Sequence, residues 1–571
     1  VTLTGTVTAQ NGVFIKTGTG TLTLAGEGEN TLGVGEGSWD YLAPVNLGAY
    51  GESPTQGLRT FNVLNGKVVL GAAGQTNWLP NTVIVGGQTT TSPGAETAGH
   101  LEIVGGYTRV GNILTVGRDN GSEVTAPGGL VSSVRIYDGR VELKGLWLAS
   151  KLSSMTTITA RPLFEMNGGE FSTAALYGGS SGASRPRFVF NGGLATVTGW
   201  AADAFRLAYG ADVESELVVA GGTLRVPNTK IRLAENAATA KGRLRLSSGR
   251  LVTRGIESVG AGVGEVLFDG GVLEACQSMM LTNLSVAAVG AGGCVVEVPA
   301  GMTVTVTQPL THDDGLGGTP DGGVAKLGGG ELVLVGAQTY TGPTVVSDGT
   351  LRVAGTLAVA DLTLMGGSTL SLVDGVGQTL TPSTFVADGA RVVLEIGANG
   401  LTYDALALPA GFDGTLMLRL VKLGSTASFT EAGRYPLLTF AGNAPDLSGW
   451  TVEGLEQTSG FEIQGNTIFV RIGTSGSAVW SVWNQTGGGA WSDAANWTVA
   501  PANDETANVL FGDAIQAPAT VTTGSGASFG YLAVDSGHAY TWRGGALTAG
   551  SPTNAGGMVV ARGAHTVDAD L

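Results

Sequence analysis

The chain has 571 residues, of which 95 are glycine; 43% are hydrophobic, only 13% are charged, and the formal net charge is −16. So much apolar material with so little charge excludes a disordered polymer. The acidic balance is spread along the length without a basic stripe, which argues against nucleic acid as a partner. No apolar run reaches the roughly 18 residues of a membrane-spanning helix, and the chain opens on Val1 without a signal-peptide pattern, as expected of a mature or excised piece.

From the N-terminus, residues 13–24 read Val-Phe-Ile-Lys-Thr-Gly-Thr-Gly-Thr-Leu-Thr-Leu, an alternating pattern broken by glycine. Further along, one phrase recurs: apolar-x-apolar-x-Gly-Gly-x-apolar. Its copies align on Gly139, Gly169, Gly193, Gly222, Gly249 and Gly271, with Asp138 and Ser248 replacing the first glycine in two of them. Five residues before each anchor stand Val134, Phe164, Phe188, Leu217, Leu244 and Val266. Three before stand Ile136, Met166, Phe190, Val219, Leu246 and Phe268; two after stand Val141, Phe171, Ala195, Leu224, Leu251 and Leu273. Alternation on both sides of a glycine predicts strand, tight turn, strand, with the same positions facing inward. The anchors lie 30, 24, 29, 27 and 22 residues apart. That spacing fits one coil of a parallel β-helix per copy, with irregular Gly-rich coils. Residues 1–310 are therefore expected to form one solenoid, interrupted by polar inserts at 88–99 and 119–129 that leave the coil corners as loops.

A second zone, 311–404, continues the β-helix and contains at 326–353 the run Lys-Leu-Gly-Gly-Gly-Glu-Leu-Val-Leu-Val-Gly-Ala-Gln-Thr-Tyr-Thr-Gly-Pro-Thr-Val-Val-Ser-Asp-Gly-Thr-Leu-Arg-Val. The segment 324–353 resembles the autotransporter-associated β-strand repeat, also called the passenger-associated transport repeat. Its pattern is a Lys-x-Gly-x-Gly-x-Leu-x-Leu strand, a Thr-Tyr-Thr-Gly corner and a closing Gly-Thr-Leu-x-Val strand. Residues 16–24 match the first half, but Asn30-Thr31-Leu32-Gly33 stands where the corner would be. The resemblance implies an all-β, right-handed parallel β-helix displayed on or secreted from a bacterial cell of the Gram-negative type. Residues 405–475 keep alternating strands but lose the Gly-Gly anchor, and resemble the segment that closes a module in such proteins. Six of ten tryptophans, Trp450, Trp480, Trp483, Trp491, Trp497 and Trp542, fall in the last 122 residues, and the run from Trp483-Asn484 through Trp491-Ser-Asp-Ala-Ala-Asn-Trp497 within 476–571 resembles the opening of a further module.

The chain begins and ends in mid-alternation, and an open solenoid end invites strand addition. Val1, Leu3, Val567 and Leu571 are thus the expected contacts if copies stack head-to-tail into a fibre; the alternative is one window of a longer surface protein. The partners expected are the chain itself or other surface proteins, with glycans a further option. Trp480, Trp483, Trp491 and Trp497 fit either a sugar-stacking platform or core filling at the start of a module.

Chemistry-bearing constellations are few. His312-Asp313-Asp314 is the single His-acid cluster and lies in a Gly- and Pro-rich connector, where a solvated turn is expected. Asp212, Glu214 and Glu216 share the strand face opposite Leu217 and Val219, a solvated outer rim near Asp203. Gly178-Gly-Ser-Ser-Gly182 and Gly526-Ala-Ser-Phe-Gly530 match a nucleophile elbow literally, but no helical pattern follows either. Gly18-Thr-Gly20 likewise precedes no helix and reads as no phosphate loop. Histidines lack metal-ligand spacing, and no cofactor is expected. Cys276 and Cys294 stand 18 residues apart, about one coil, and are either a disulfide between stacked coils or two small apolar residues. Thr303, Thr305 and Thr307 are expected to form hydroxyl ladders between coils. The resulting reading is a structural or adhesive extracellular solenoid with no enzymatic activity; a glycan-binding or glycan-cleaving β-helix is the alternative.

Overall fold

A computed structural model describes residues 1–3, 8–9, 14–16, 20–25, 29–32, 60–63, 66–79, 82–87, 98–118, 131–150, 160–180, 182–235, 237–357, 361–398, 400, 402–455, 459–472, 480–550 and 556–570. The fold is all-β, and its stacked parallel strands make a β-helix. The chain divides into two compact units, Val1–Thr344 and Val345–Leu571. The division lies inside the repeat at 324–353. Most of the two polar inserts, 88–97 and 119–129, lies outside the described residues, and Gly99 already belongs to the strand Gly99–Ile103.

In the first unit each coil contributes three strands, and equivalent strands stack into columns. The first column is a sheet of twelve parallel strands running from Thr2–Leu3 to Thr311–His312. At about 4.8 Å per strand, eleven steps rise on the order of 50 Å. The second column contains Thr223–Val226, Arg250–Thr253, Val272–Ala275, Cys294–Glu297 and Val324–Leu327. The third contains Phe205–Ala208, Ile231–Glu235, Ile256–Val259, Met279–Thr282, Thr303–Val306 and Glu331–Val335. Two long strands, Arg140–Leu148 and Glu170–Gly178, run through the corner between the second and third columns without a break.

The glycine alignment is reproduced residue by residue. In the first column Val134, Phe164, Phe188, Leu217, Leu244 and Val266 pair in series, as do Ile136, Met166, Phe190, Val219, Leu246 and Phe268. Val141, Phe171, Ala195, Leu224, Leu251 and Leu273 do so in the second. None of these side chains is more than 2% exposed, so variable loops lengthen the coils without moving the inward positions. The anchors explain themselves sterically: Gly139, Gly169, Gly193 and Gly222 have φ between +62° and +88°. A β-carbon on any of the four would stand 2.2–2.4 Å from the carbonyl oxygen of the glycine one coil below. The last two corners are built differently: neither Ser248 nor Gly249 has a positive φ, and at the last corner Gly270, with φ +100°, takes the left-handed conformation in place of Gly271.

The second unit stacks Thr350–Ala354, Thr369–Ser371, Ala390–Ile396, Leu416–Lys422 and Thr451–Val452 in one parallel column. Beside it Thr379–Leu380, Ala405–Leu408 and Gly433–Phe440 run parallel, and then direction changes. Thr467–Ile472 pairs antiparallel with both Gly433–Phe440 and Ser459–Gln464, so a hairpin ends that sheet. From Trp480–Val482 onward parallel stacking resumes, through Asn508–Phe511, Tyr531–Asp535 and Gly557–Arg562.

Candidate functional site: the repeat corner and the charged faces

The Thr-Tyr-Thr-Gly corner is organised by Asp321, whose side chain is fully buried. Its Oδ1 accepts from the backbone N–H of Gly323 at 2.9 Å and of Gly342 at 2.8 Å. Its Oδ2 accepts from the Thr341 N–H at 2.7 Å and the Thr341 hydroxyl at 3.0 Å. Burial alone would raise this carboxyl, but the N–H groups of Thr341, Gly323 and Gly342 together with His312 hold it below its ordinary value. His312, at the end of the first column, places Nδ1 2.9 Å from Asp321 Oδ2 and Nε2 3.1 Å from the Gly317 carbonyl oxygen. Tyr340 is buried, with its hydroxyl 2.6 Å from Thr344 Oγ1. Lys326, the leading lysine of the repeat, is buried and donates to the carbonyl oxygens of Leu327 at 3.0 Å and Gly328 at 2.5 Å. Asp321 and Lys326 thus satisfy backbone groups that the turns leave open, while Tyr340 and Thr344 satisfy each other.

The His-acid cluster at 312–314 is not a unit. Asp313 caps the short 3-10 turn Asp314–Leu316 by accepting from the Gly315 N–H, a turn role as expected. His312 instead finds Asp321, nine residues on. Only the fold of the connector brings these two together, and the Pro-Asp-Gly-Gly run at 320–323 signalled a turn and nothing more.

The outer faces carry charges in register. On the first column Arg187, Glu216, Arg243 and Glu265 occupy the same strand position on four successive coils. Arg187 Nε lies 2.6 Å from Glu216 and Arg243 Nε lies 2.5 Å from Glu265. Glu214 faces Arg185 at 3.2 Å, so Glu214 and Glu216 of the acidic rim belong to an ion-pair ladder, whereas Asp212, at φ +62° ahead of the strand Glu214–Val219, does not share its face and accepts from Arg185 through its backbone carbonyl oxygen at 3.3 Å. On the third column Arg206 pairs with Asp203 at 2.5 Å and Glu235 at 3.1 Å, while Arg232 pairs with Glu235 and Glu257. The Arg206 guanidinium also lies 5.8 Å from the Tyr177 ring centre and 4.6 Å from that of Tyr209. These ladders correct the expectation that neighbouring coils hold hydroxyl ladders. Thr303 faces Glu331, Thr305 pairs in register with Met280 and Val333, and Thr307 donates to the Leu281 carbonyl oxygen. A polar ladder of the expected kind occurs at the glycine corner, where Asn191 donates to Asn167 Oδ1 at 2.9 Å.

The sugar-platform expectation for the tryptophans is corrected. Trp483, Trp491 and Trp497 are 1–4% exposed and form one core with Phe511, Tyr540 and Trp542. Trp497 stacks edge-on to Trp483 and Trp491 with ring centres 5.0 and 5.1 Å away. Trp480 is half-buried, edge-on to Tyr531. The disulfide expectation is corrected too: both cysteines are free, and Cys294 is buried. Val272 pairs with Val295, which puts the two cysteines at opposite ends of their strand pair, about 16 Å apart along it. A disulfide needs Cα atoms within about 7 Å. Of the expected contact ends, Val1 and Leu3 are 84% and 38% exposed. Val567 is half-buried against the tryptophan core, and Leu571 lies outside the described residues.

Among the buried polar groups that escaped sequence reasoning are Arg434, Glu395 and Asp404. Arg434 is fully buried, bonded to Glu462 at 3.1 Å and Gln464 at 2.7 Å, with its guanidinium 3.2 Å from the Phe469 ring centre. Glu395 and Asp404 are both buried; Glu395 accepts from the N–H groups of Asp374, Gly375 and Gly424. Asp404 accepts from those of Gln378 and Glu395, yet burial pushes its carboxyl up to about 7. Arg434 shares the strand face of Leu438 and Phe440, where a charged letter was the available signal; Glu395 alternates with Arg391 on the face opposite Val392 and Leu394, so pattern alone gave no sign of its burial.

Among the described residues no group of three His, Cys, Asp or Glu side chains could hold a metal ion. No helix among them is long and apolar enough to cross a membrane. No curated protein matches the chain. The family model of the passenger-associated-transport-repeat matches residues 14–32 and 324–353; the first carried the resemblance by its opening Lys16-to-Leu24 half alone, the second by lysine, corner and closing strand together. The chain is a parallel β-helix that carries two copies of the passenger-associated transport repeat of autotransporter passengers.

Proposed function

We propose that this chain is a bacterial surface-displayed or secreted passenger segment that serves as a stiff scaffold and not as an enzyme. The observation that carries this reading is the charge ladder Arg187–Glu216–Arg243–Glu265. A β-helical lyase or hydrolase needs acids and bases on neighbouring coils that are held for a substrate, whereas here cations and carboxylates on neighbouring coils are spent on one another. The family repeats support the surface location. Incubating the chain with acidic and neutral polysaccharides tests the reading, because chain shortening above the uncatalysed rate would overturn it. Sedimentation over a concentration series tests head-to-tail stacking, for which assemblies growing with concentration are expected and a strictly monomeric species counts against it.

A second reading, glycan adhesion, is favoured by Trp200, which is 79% exposed on a corner held by Thr229 Oγ1 donating to the Ala201 carbonyl oxygen. A glycan array with the chain and Trp200→Ala decides: signals lost in the variant support adhesion through this ring, and signals unchanged or absent remove it.

A further inference from the structure

The His312 ring is placed between acceptors. Nδ1 faces the Asp321 carboxylate, and Nε2 faces the carbonyl oxygen of Gly317. A carbonyl oxygen cannot donate, so Nε2 must carry a proton to make its bond. Asp321 Oδ2 already accepts from the Thr341 N–H and hydroxyl, so it is an ionised acceptor and Nδ1 must carry a proton as well. Both bonds exist together only in the imidazolium. The Thr341 hydroxyl, 3.1 Å from Nδ1, donates to Asp321 and can accept from the ring.

The charged groups facing the ring are Asp321 and Asp313, both acidic. The strand packed against it, Val286–Val289, is Val-Ala-Ala-Val and brings no charge. From the repeat corner Thr341 reaches it, while Tyr340 turns its hydroxyl away to Thr344. With a side chain 19% exposed, the ring exchanges protons with water freely.

We propose that His312 is a proton-dependent latch that pins the connector turn at 313–319 to the Asp321-centred corner of the transport repeat. Protonated, the ring ties Gly317 to Asp321; on losing a proton it keeps one bond at most, and the turn is released. The hydrogen bond to Asp321 holds the imidazole above its ordinary value. The contribution of a group so raised is complete below the unfolded value near 6.5 and is lost as pH rises through the folded value. The latch is therefore closed in acid and opens towards alkaline pH. Its acid limit is set by Asp321, whose lowered carboxyl stays ionised to below its ordinary range.

The test uses the whole 571-residue chain. Amide exchange of residues 313–319, corrected for intrinsic chemistry, is followed from pH 5.5 to 9, alongside the ring resonances of His312 assigned through His312→Gln. The expected result is a ring that titrates above 6.5 and an opening equilibrium that rises by up to about tenfold per pH unit between 6.5 and that titration and levels off beyond it. In His312→Gln, which cannot carry the charge, the turn should be open and its opening flat across the range. A ring titrating at or below its ordinary value overturns the proposal, as does protection in the variant that follows the same pH course as the parent. If the variant proves misfolded by circular dichroism, the ring titration and the pH course of the parent still decide.

Discussion

Gly193 lies directly above Gly169: the Gly169 carbonyl accepts from the Leu194 N–H at 2.9 Å, and a β-carbon on Gly193 would stand 2.4 Å from that same oxygen. With φ at +76°, the position is closed to other residues by both conformation and space. Gly193→Ala is expected to destabilise the first unit by about 2–4 kcal/mol, of which the left-handed backbone accounts for about 1–2. Gly301, at φ +77° with nothing within 4 Å, is the control. Gly301→Ala should cost only the backbone part, and urea midpoints of the two variants read the difference.

Glu216 stands between Arg187 and Arg243 in the first-column ladder. The three side chains are 37–55% exposed, so each pair is worth under about 1 kcal/mol. Glu216→Lys would line up three cations and is expected to lower stability by about 1–2 kcal/mol at low salt. Screening should remove more than half of that loss at high ionic strength; a loss insensitive to salt would mean that packing is at fault and not charge.

Trp491 meets Trp497, Phe511 and Phe529 within one buried core. Trp491→Ala is expected to cost about 3–5 kcal/mol in the second unit and to change near-ultraviolet dichroism there. Trp200→Ala, at an exposed ring, should leave stability within about 0.5 kcal/mol.

Asp404 gives the second unit a pH dependence opposite to that of an ion-paired carboxylate. Its folded value of about 7 lies above the ordinary 3.8, so the folded state holds the proton more tightly. Stability should therefore fall as pH rises between these values, by up to about 4 kcal/mol over the whole interval. Asp404→Asn should flatten that slope even if it lowers the baseline, because one of the two N–H acceptors is lost. Denaturation midpoints of the second unit at pH 5 and pH 7.5, compared between parent and variant, check both parts.

Sequence reading reached the coil and its inward positions because the period of two in a strand and the steric demand of stacked glycines are local properties. Val134, Phe164 and Phe188 could be aligned by counting back from a glycine, whatever the length of the loops between. The transport repeat was equally legible at 324–353, where lysine, corner and closing strand all stand in one short run. The tryptophans were ambiguous because a ring that stacks on sugar and a ring that fills a core are the same letter; only the enclosing coils bury Trp483, Trp491 and Trp497.

The amino-acid sequence by itself determined a β-helix, which residues of each coil face inward and which segment is the family repeat, since each follows from alternation and from glycine at fixed offsets. The tertiary structure decided what stands next to what between coils. In the first copy of the repeat Phe14–Lys16 stacks with third-column strands. In the second copy Val324–Leu327 stacks in the second column and turns Lys326 inward, so one motif serves two different corners. Loops of unequal length set which outer residues share a level, and so the pairing of Arg187 with Glu216, the parting of Cys276 from Cys294 and the meeting of His312 with Asp321 exist only once the coils are stacked.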